Sequence, residues 1–153
     1  DAVNNRQKTV LQTKIEAHFG ADLHGKTLAV WGLSFKPGTD DIREAPAVVL
    51  MEELLSAGAR VKAYDPEALE AARNELPEQW FANGSVTLVR HQHEALEDVD
   101  AMALVTEWKP FRHPDLRAMK EMMKQLVVFD GRNQYDPRSL KDEGFEYFGI
   151  GRR

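Results

Sequence analysis

The sequence predicts an α/β fold, in which a doubly wound, mostly parallel sheet follows a leading N-terminal helix. Short, almost wholly apolar runs alternate with segments of helical periodicity along the chain. Such runs are typical of parallel strands that helices cover on both faces. The 153 residues, 42% of them hydrophobic and 29% charged, are enough for one globular domain with its own core.

The first elements follow from periodicity and from residues that start or stop helices. Apolar side chains recur at helical spacing over residues 3–19, and Gly20 gives that helix an end. A buried strand is predicted over residues 27–33. The next helix is predicted to begin near Pro46, because proline is tolerated in a first helical turn, and to end near Gly58.

Further strands are predicted at residues 60–64, 86–89, 101–105, 126–129 and 145–150, the last being the weakest. Short helices are predicted between them, at residues 67–74, 93–97 and 116–124. In a sheet of this kind, ligands bind beyond the carboxyl ends of the strands. The sequence therefore predicts a Rossmann-like domain whose ligand site is built from the loops that follow the strands.

Four segments follow predicted strands and are candidates for that site: residues 34–45, 65–66, 106–109 and 130–133. An ordinary dinucleotide site needs three glycines in the first loop, spaced G-x-G-x-x-G. Only Gly32 and Gly38 are present, at the wrong spacing, so the loop does not predict an ordinary NAD site. Asp65 stands where a ribose-binding acid would lie, and we favour a strand-ending turn there.

The first loop carries two cations with competing interpretations. Lys36 lies between Phe35 and Pro37, and the proline restricts its backbone to extended conformations. It is either a positioned charge for a phosphate or a sugar hydroxyl or a solvated lysine. Arg43 is either a fork for a pyrophosphate or, as the sequence alone slightly favours, part of a local network with neighbouring acids.

Arg132 and the pair His91 and His93 are further candidates for a functional role. Arg132 follows Gly131 in a turn after a predicted strand, which places its side chain at the ligand edge; a functional and a structural role are equally supported. His91 and His93 alternate as metal ligands do on a strand, but no third ligand has an obvious position. We therefore predict no metal site.

Composition limits the classes of partner. A net charge of −5 argues against a nucleic-acid surface, and no apolar run reaches the roughly 18 residues that span a membrane. The first residues do not have the pattern of a signal peptide, so we expect a cytoplasmic protein. The absence of a starting Met indicates a fragment or a processed chain, and the absence of cysteine removes thiol chemistry from these residues.

Residues 32–46, GLSFKPGTDDIREAP, resemble the signature of the UDP-glucose/GDP-mannose dehydrogenase family, in its C-terminal UDP-binding domain. Other segments match in the expected order: residues 3–8, 63–66, 105–108, 128–137 and 144–152. The TEW and FDGRN versions of these motifs look most like bacterial UDP-glucose 6-dehydrogenases. The same domain of a GDP-mannose or UDP-N-acetylhexosamine dehydrogenase, and a stand-alone nucleotide-binding module, are the alternatives.

The resemblance implies an enzyme that oxidises C6 of a nucleotide sugar to a carboxylate with two NAD⁺. NAD would be bound mainly by an absent N-terminal domain, and the catalytic cysteine would lie outside this chain. Residues 1–22 would end the connecting helix and residues 23–153 would form the UDP-sugar-binding domain. The full-length enzyme would be a homodimer or larger, and this chain alone would be inactive and bind UDP weakly, if at all.

The resemblance also implies roles for single residues. Phe35 and Lys36 match a pair that contacts the nucleotide sugar, and Arg132 matches an arginine that contacts the substrate. Arg43 matches an arginine that reaches NAD across a domain interface. No catalytic residue is carried over to this chain.

Overall fold

The computed structural model describes residues 9–150, and the six strands within this range form one parallel sheet. Its strands are β1 (Thr27–Trp31), β2 (Arg60–Tyr64), β3 (Val86–Leu88), β4 (Ala101–Leu104), β5 (Val127–Asp130) and β6 (Glu146–Gly149). Their order is β3-β2-β1-β4-β5-β6, and every neighbouring pair is parallel. This is the strand order of a doubly wound Rossmann-type sheet, so the predicted fold class is confirmed.

Helices cover both faces of the sheet. They are α1 (Val10–Phe19), α2 (Pro46–Ser56), α3 (Leu69–Glu75), α4 (Glu78–Ala82), α5 (Leu116–Met122) and α6 (Pro137–Asp142). The side chain of Thr9 caps α1 by accepting a hydrogen bond from the N–H of Gln12 at 3.1 Å. The predicted leading helix thus has its second half in α1, while residues 3–8 of that prediction lie outside the described residues.

Several boundaries differ from the sequence prediction. The first strand ends at Trp31 rather than at residue 33, because the backbone turns at Gly32 with a φ of 98°. Helices α4 and α6 and a 3₁₀ turn at Lys109–Phe111 were not predicted. These segments are only one or two turns long, too short to show a helical period.

The core lies on both faces of the sheet, which explains the near-continuous apolar runs in the sequence. Along β1, Leu28 and Val30 enter the core on one face, while Trp31 enters the core on the other. Trp31 stacks on Phe111 with ring centroids 4.8 Å apart. Helix α1 contributes Leu11 and Ile15 to the first face, so it packs directly on the sheet.

The close approach of β1 and β4 at their carboxyl ends requires a glycine. A Cβ atom on Gly32 would lie 2.5 Å from the backbone nitrogen of Thr106 and 2.6 Å from its Cβ. Gly38 has a similar φ of 87°, but a Cβ there would have no atom within 4 Å. The two glycines of the first loop therefore differ: one is required for packing and the other only for backbone conformation.

This difference predicts unequal costs for Gly32→Ala and Gly38→Ala. Each alanine is strained at positive φ, at a cost of about 1 kcal/mol, whereas Gly32→Ala also forces two strands apart at a further cost of about 1–3 kcal/mol. We expect urea unfolding to show a clearly larger loss of unfolding free energy for Gly32→Ala. Equal losses would contradict the packing role of Gly32.

Candidate functional site

A buried carboxylate joins three loops at the carboxyl edge of the sheet. Asp65, fully buried after β2, accepts hydrogen bonds at Oδ2 from the backbone N–H groups of Leu33 (2.6 Å) and Ser34 (3.1 Å). The indole Nε1–H of Trp108 donates to the same oxygen at 3.2 Å. Its Oδ1 accepts from the N–H groups two and three residues further on, both at 2.8 Å. Both oxygens are thus occupied, and Asp65 is a structural residue, in line with the turn interpretation.

The loop after β1 is also fixed by its own contacts. The hydroxyl of Thr106 donates to the carbonyl of Ser34 at 2.7 Å, and the hydroxyl of Ser34 donates to the carbonyl of Lys36 at 2.9 Å. The N–H of Phe35 donates to the carbonyl of Asp41 at 2.9 Å, which closes the loop. Lys36 is exposed, and its ammonium group forms no ion pair with any described residue.

A second buried carboxylate organises the loop after β5. Asp130 accepts from the N–H of Arg132 at 3.0 Å, from the N–H of Tyr135 at 2.8 Å and from the hydroxyl of Tyr147 at 2.9 Å. Burial raises the pKa of Tyr135 well above its ordinary value, and the negative charge of Asp130 adds to this shift. The phenol of Tyr135 therefore stays neutral. The carboxylate of Asp130 holds the segment that carries Arg132.

Arg132 forms a two-pronged ion pair with Glu107 from the loop after β4. Its Nε lies 2.8 Å from Oε1 and its Nη2 lies 3.0 Å from Oε2. The side chain of Arg132 is half exposed, and it lines a cavity of about 260 Å³. The rest of that cavity is mostly apolar and includes Leu11 from α1 and Leu50 from α2. The cavity therefore combines an apolar wall with one oriented guanidinium group.

Arg43 is paired in the same manner within its own loop. Its Nε lies 3.0 Å from Oδ1 of Asp41, and its Nη2 lies 3.2 Å from Oδ2. The hydrogen bonds from the side chain and the backbone of Arg43 lower the pKa of Asp41, and that carboxylate in turn raises the pKa of Arg43. The local network that the sequence favoured for Arg43 is present, yet its side chain remains 80% exposed.

The four predicted site residues lie on two loops at this edge, but they do not share one cavity. Phe35, which is 58% exposed, and Arg43 line an open cavity of about 370 Å³. Arg132 lines the separate cavity beside α1, and Lys36 lines neither of the two. Glu44, beside Arg43, adopts a φ of 56°, a strained backbone of the kind that clusters at binding sites.

Sequence reasoning noted the segment at residues 106–109 but missed the roles of its members. Glu107 pairs with Arg132, and Thr106 and Trp108 tie the loop to the first two strand ends. No signal in the sequence specifies these partners, since they depend on which strands are neighbours. Within residues 9–150 there is no cluster of three side chains suited to a metal ion, and no helix long and apolar enough to cross a membrane.

A wholly parallel sheet of this order, with cations gathered on the loops at its carboxyl edge, defines the class of Rossmann-type ligand-binding domains. The chain belongs to the UDP-glucose/GDP-mannose dehydrogenase family, because residues 29–137 match the UDP binding domain of that family. The family predicted from the sequence motifs is thereby confirmed.

Known relatives agree with this assignment. The chain is 45% identical over 152 residues to a UDP-glucose 6-dehydrogenase of Pseudomonas aeruginosa, covering 99% of this chain and 33% of that protein. It is 39% identical over 151 residues to the Rhizobium meliloti enzyme, with the same shares covered. A UDP-glucose dehydrogenase structure from Pyrobaculum islandicum matches with a TM-score of 0.74 and 33% identity, over 94% of this chain and 29% of that one. The chain thus spans about a third of the length of the curated relatives it matches.

The pairing of Arg43 with Asp41 predicts a measurable titration. The pKa of Asp41 should lie below the ordinary value of about 3.9 for an aspartate, and Arg43→Ala should raise it. The rise should be partial, because the backbone N–H of residue 43 still donates to the carboxylate. A ¹³C NMR titration of the side-chain carboxyl group measures both values.

The sign of the linkage follows from the lowered pKa. The stabilisation from this pair is present above the pKa of the unfolded state and is lost as the pH falls through the lowered pKa of the folded state. The effect on stability should be small, since both side chains are exposed. The control is Arg117→Ala, which removes an exposed arginine on α5. An unchanged Asp41 titration in Arg43→Ala would refute the pairing.

Proposed function

We propose that this chain is the nucleotide-sugar-binding domain of a UDP-glucose 6-dehydrogenase, which oxidises UDP-glucose to UDP-glucuronate and reduces two NAD⁺. One observation carries the proposal. The cations of the family motif, Lys36 and Arg132, lie on loops that buried carboxylates hold at the carboxyl edge of the sheet. That edge is where a sheet of this order binds its ligands.

The properties of the proposed substrate residues suit a nucleotide sugar. Lys36 is exposed and has no acidic partner within residues 9–150, so its full charge is available to a diphosphate or a sugar hydroxyl. Phe35 offers a largely exposed ring as an apolar contact surface. Arg132 offers oriented N–H donors beside an apolar cavity.

The chain's own residues do not fit a complete NAD site. The first loop has only Gly32 and Gly38, so it lacks the closely spaced second glycine that lets a pyrophosphate approach the backbone. Both carboxylate oxygens of Asp65, which would bind a ribose, already accept hydrogen bonds from the protein. In our proposal NAD is bound mainly by another domain, and Arg43 is the residue of this chain that reaches it.

The proposal places this domain within a longer enzyme. Residues 1–22 would complete a connecting helix, and residues 23–153 would form the UDP-sugar-binding unit. Leu11 and Ile15 of α1 pack against the sheet, and this packing supports a connecting helix that is firmly attached to the domain. The other proposed features are N-terminal and central domains that supply NAD binding and the catalytic cysteine, assembly as a homodimer or larger, and a cytoplasmic location.

The role of Lys36 is tested by Lys36→Ala in the full-length enzyme. The loss of one charged contact is worth about 1.5–3 kcal/mol, so kcat/KM for UDP-glucose should fall by about tenfold or more. The assay is steady-state NADH production with UDP-glucose varied at saturating NAD⁺. KM for NAD⁺ should change little.

The matched control is Lys141→Ala. Lys141 is an exposed lysine in the last turn of α6, and it precedes β6, so it lies toward the opposite edge of the sheet. Its removal should leave the kinetics unchanged. Unaltered kinetics in Lys36→Ala would refute the substrate role of that residue.

A further inference from the structure

The ion pair between Glu107 and Arg132 joins the loops that follow β4 and β5. We propose that Glu107 is a positioning residue, which holds the guanidinium group of Arg132 in the orientation that the nucleotide sugar meets. The proposal rests on the proposed substrate role of Arg132. It concerns a residue that the sequence motifs placed near the site but to which they gave no role.

Glu107 is itself held in place by both of its neighbours. On one side, the hydroxyl of Thr106 donates to the carbonyl of Ser34 in the loop after β1. On the other side, the indole of Trp108 donates to the buried carboxylate of Asp65 after β2. The backbone N–H of Trp108 also donates to the carbonyl of Thr106 at 3.1 Å. The backbone of Glu107 is therefore fixed relative to two other strand ends.

The backbone of Arg132 is also fixed by contacts within its own loop. The N–H of Gly131 donates to the carbonyl at the end of β4 at 2.8 Å, and a Cβ on Gly131 would lie only 2.9 Å from that oxygen. Asp130 accepts the N–H of Arg132 itself. Asn133, at a φ of 51°, donates to and accepts from the backbone of Ile150, both at 2.8 Å.

The geometry of the pair leaves donors for a ligand. The carboxylate of Glu107 accepts hydrogen bonds from Nε and Nη2 of the guanidinium group of Arg132. Nη1 has no hydrogen-bond partner in the described part of the chain. An arginine has five N–H donors in a rigid plane, so fixing one edge of that plane fixes the remaining donors. Without Glu107, a half-exposed arginine would sample many rotamers, and binding would have to select one.

The charges of the pair favour a positioning role for Glu107 over a role as a source of charge at the site. The pair is neutral as a unit, since one carboxylate compensates one guanidinium. Glu107 is only 26% exposed, whereas Arg132 is 50% exposed, so the arginine is the more accessible partner. Glu107 also lines the neighbouring cavity of about 560 Å³, together with Trp108 and Lys109. The two partners thus line different cavities: Arg132 lines the one beside α1, and Glu107 lines this one.

The test is a double-mutant cycle in the full-length enzyme with Glu107→Gln, Arg132→Ala and the combined variant. Glutamine keeps the shape of the side chain but loses the charge and one acceptor. Glu107→Gln should raise KM for UDP-glucose by about tenfold, the effect of one misplaced charged contact, with little change in kcat. In the Arg132→Ala background, Glu107→Gln should have no further effect, because the residue acts through Arg132.

Two further measurements separate positioning from a general structural role. In this chain, Glu107→Gln should speed the solvent exchange of the Arg132 Nε–H, followed by ¹⁵N NMR, while the thermal unfolding midpoint stays close to that of the parent. Glu107→Asp, which keeps the charge, should recover part of the KM defect. Partial recovery is not expected if Glu107 only fills space.

The outcomes are distinguishable. If Glu107→Gln and Arg132→Ala have independent, multiplicative effects on KM, or if Glu107→Gln tightens binding, the positioning role is overturned. If Arg132→Ala alone leaves KM unchanged, the proposed substrate role of Arg132 is the one that fails. In that case the NMR exchange of the Nε–H still reports whether Glu107 holds the guanidinium group.

Discussion

The structure depends most on the buried carboxylate of Asp65. It accepts five hydrogen bonds and connects the ends of β1 and β2 with the loop after β4. A buried charge is tolerated only when its oxygens are satisfied in this way. The same contacts prevent Asp65 from binding a ligand, so the residue that a dinucleotide-binding protein uses for a ribose here assembles the site.

The three cations predicted for the ligand edge differ in how they are held. Arg43 and Arg132 are each held by a carboxylate through two hydrogen bonds, whereas Lys36 has no ion pair among residues 9–150. A rigid arginine provides geometry, and a free lysine provides charge. This division suits one wall of a cleft, as the proposed function requires.

The sequence predicted the fold class because fully buried parallel strands leave apolar runs that short loops interrupt. It also placed Lys36, Arg43 and Arg132 at the carboxyl edge, since each follows a strand. It could not pair Arg132 with Glu107, because that contact depends on β4 and β5 being neighbours. Their register sets Leu104 opposite Asp130, so the two strands end side by side and the loops that carry Glu107 and Arg132 meet.

The most direct test of the account is a titration of the ¹⁵N-labelled chain with UDP-glucose, followed by amide chemical shifts. This method detects even weak binding, as expected for a single wall of a cleft. The account predicts that the shift changes concentrate in residues 33–45, 105–108 and 130–133, with none at the opposite edge of the sheet. Changes concentrated at that opposite edge would contradict it.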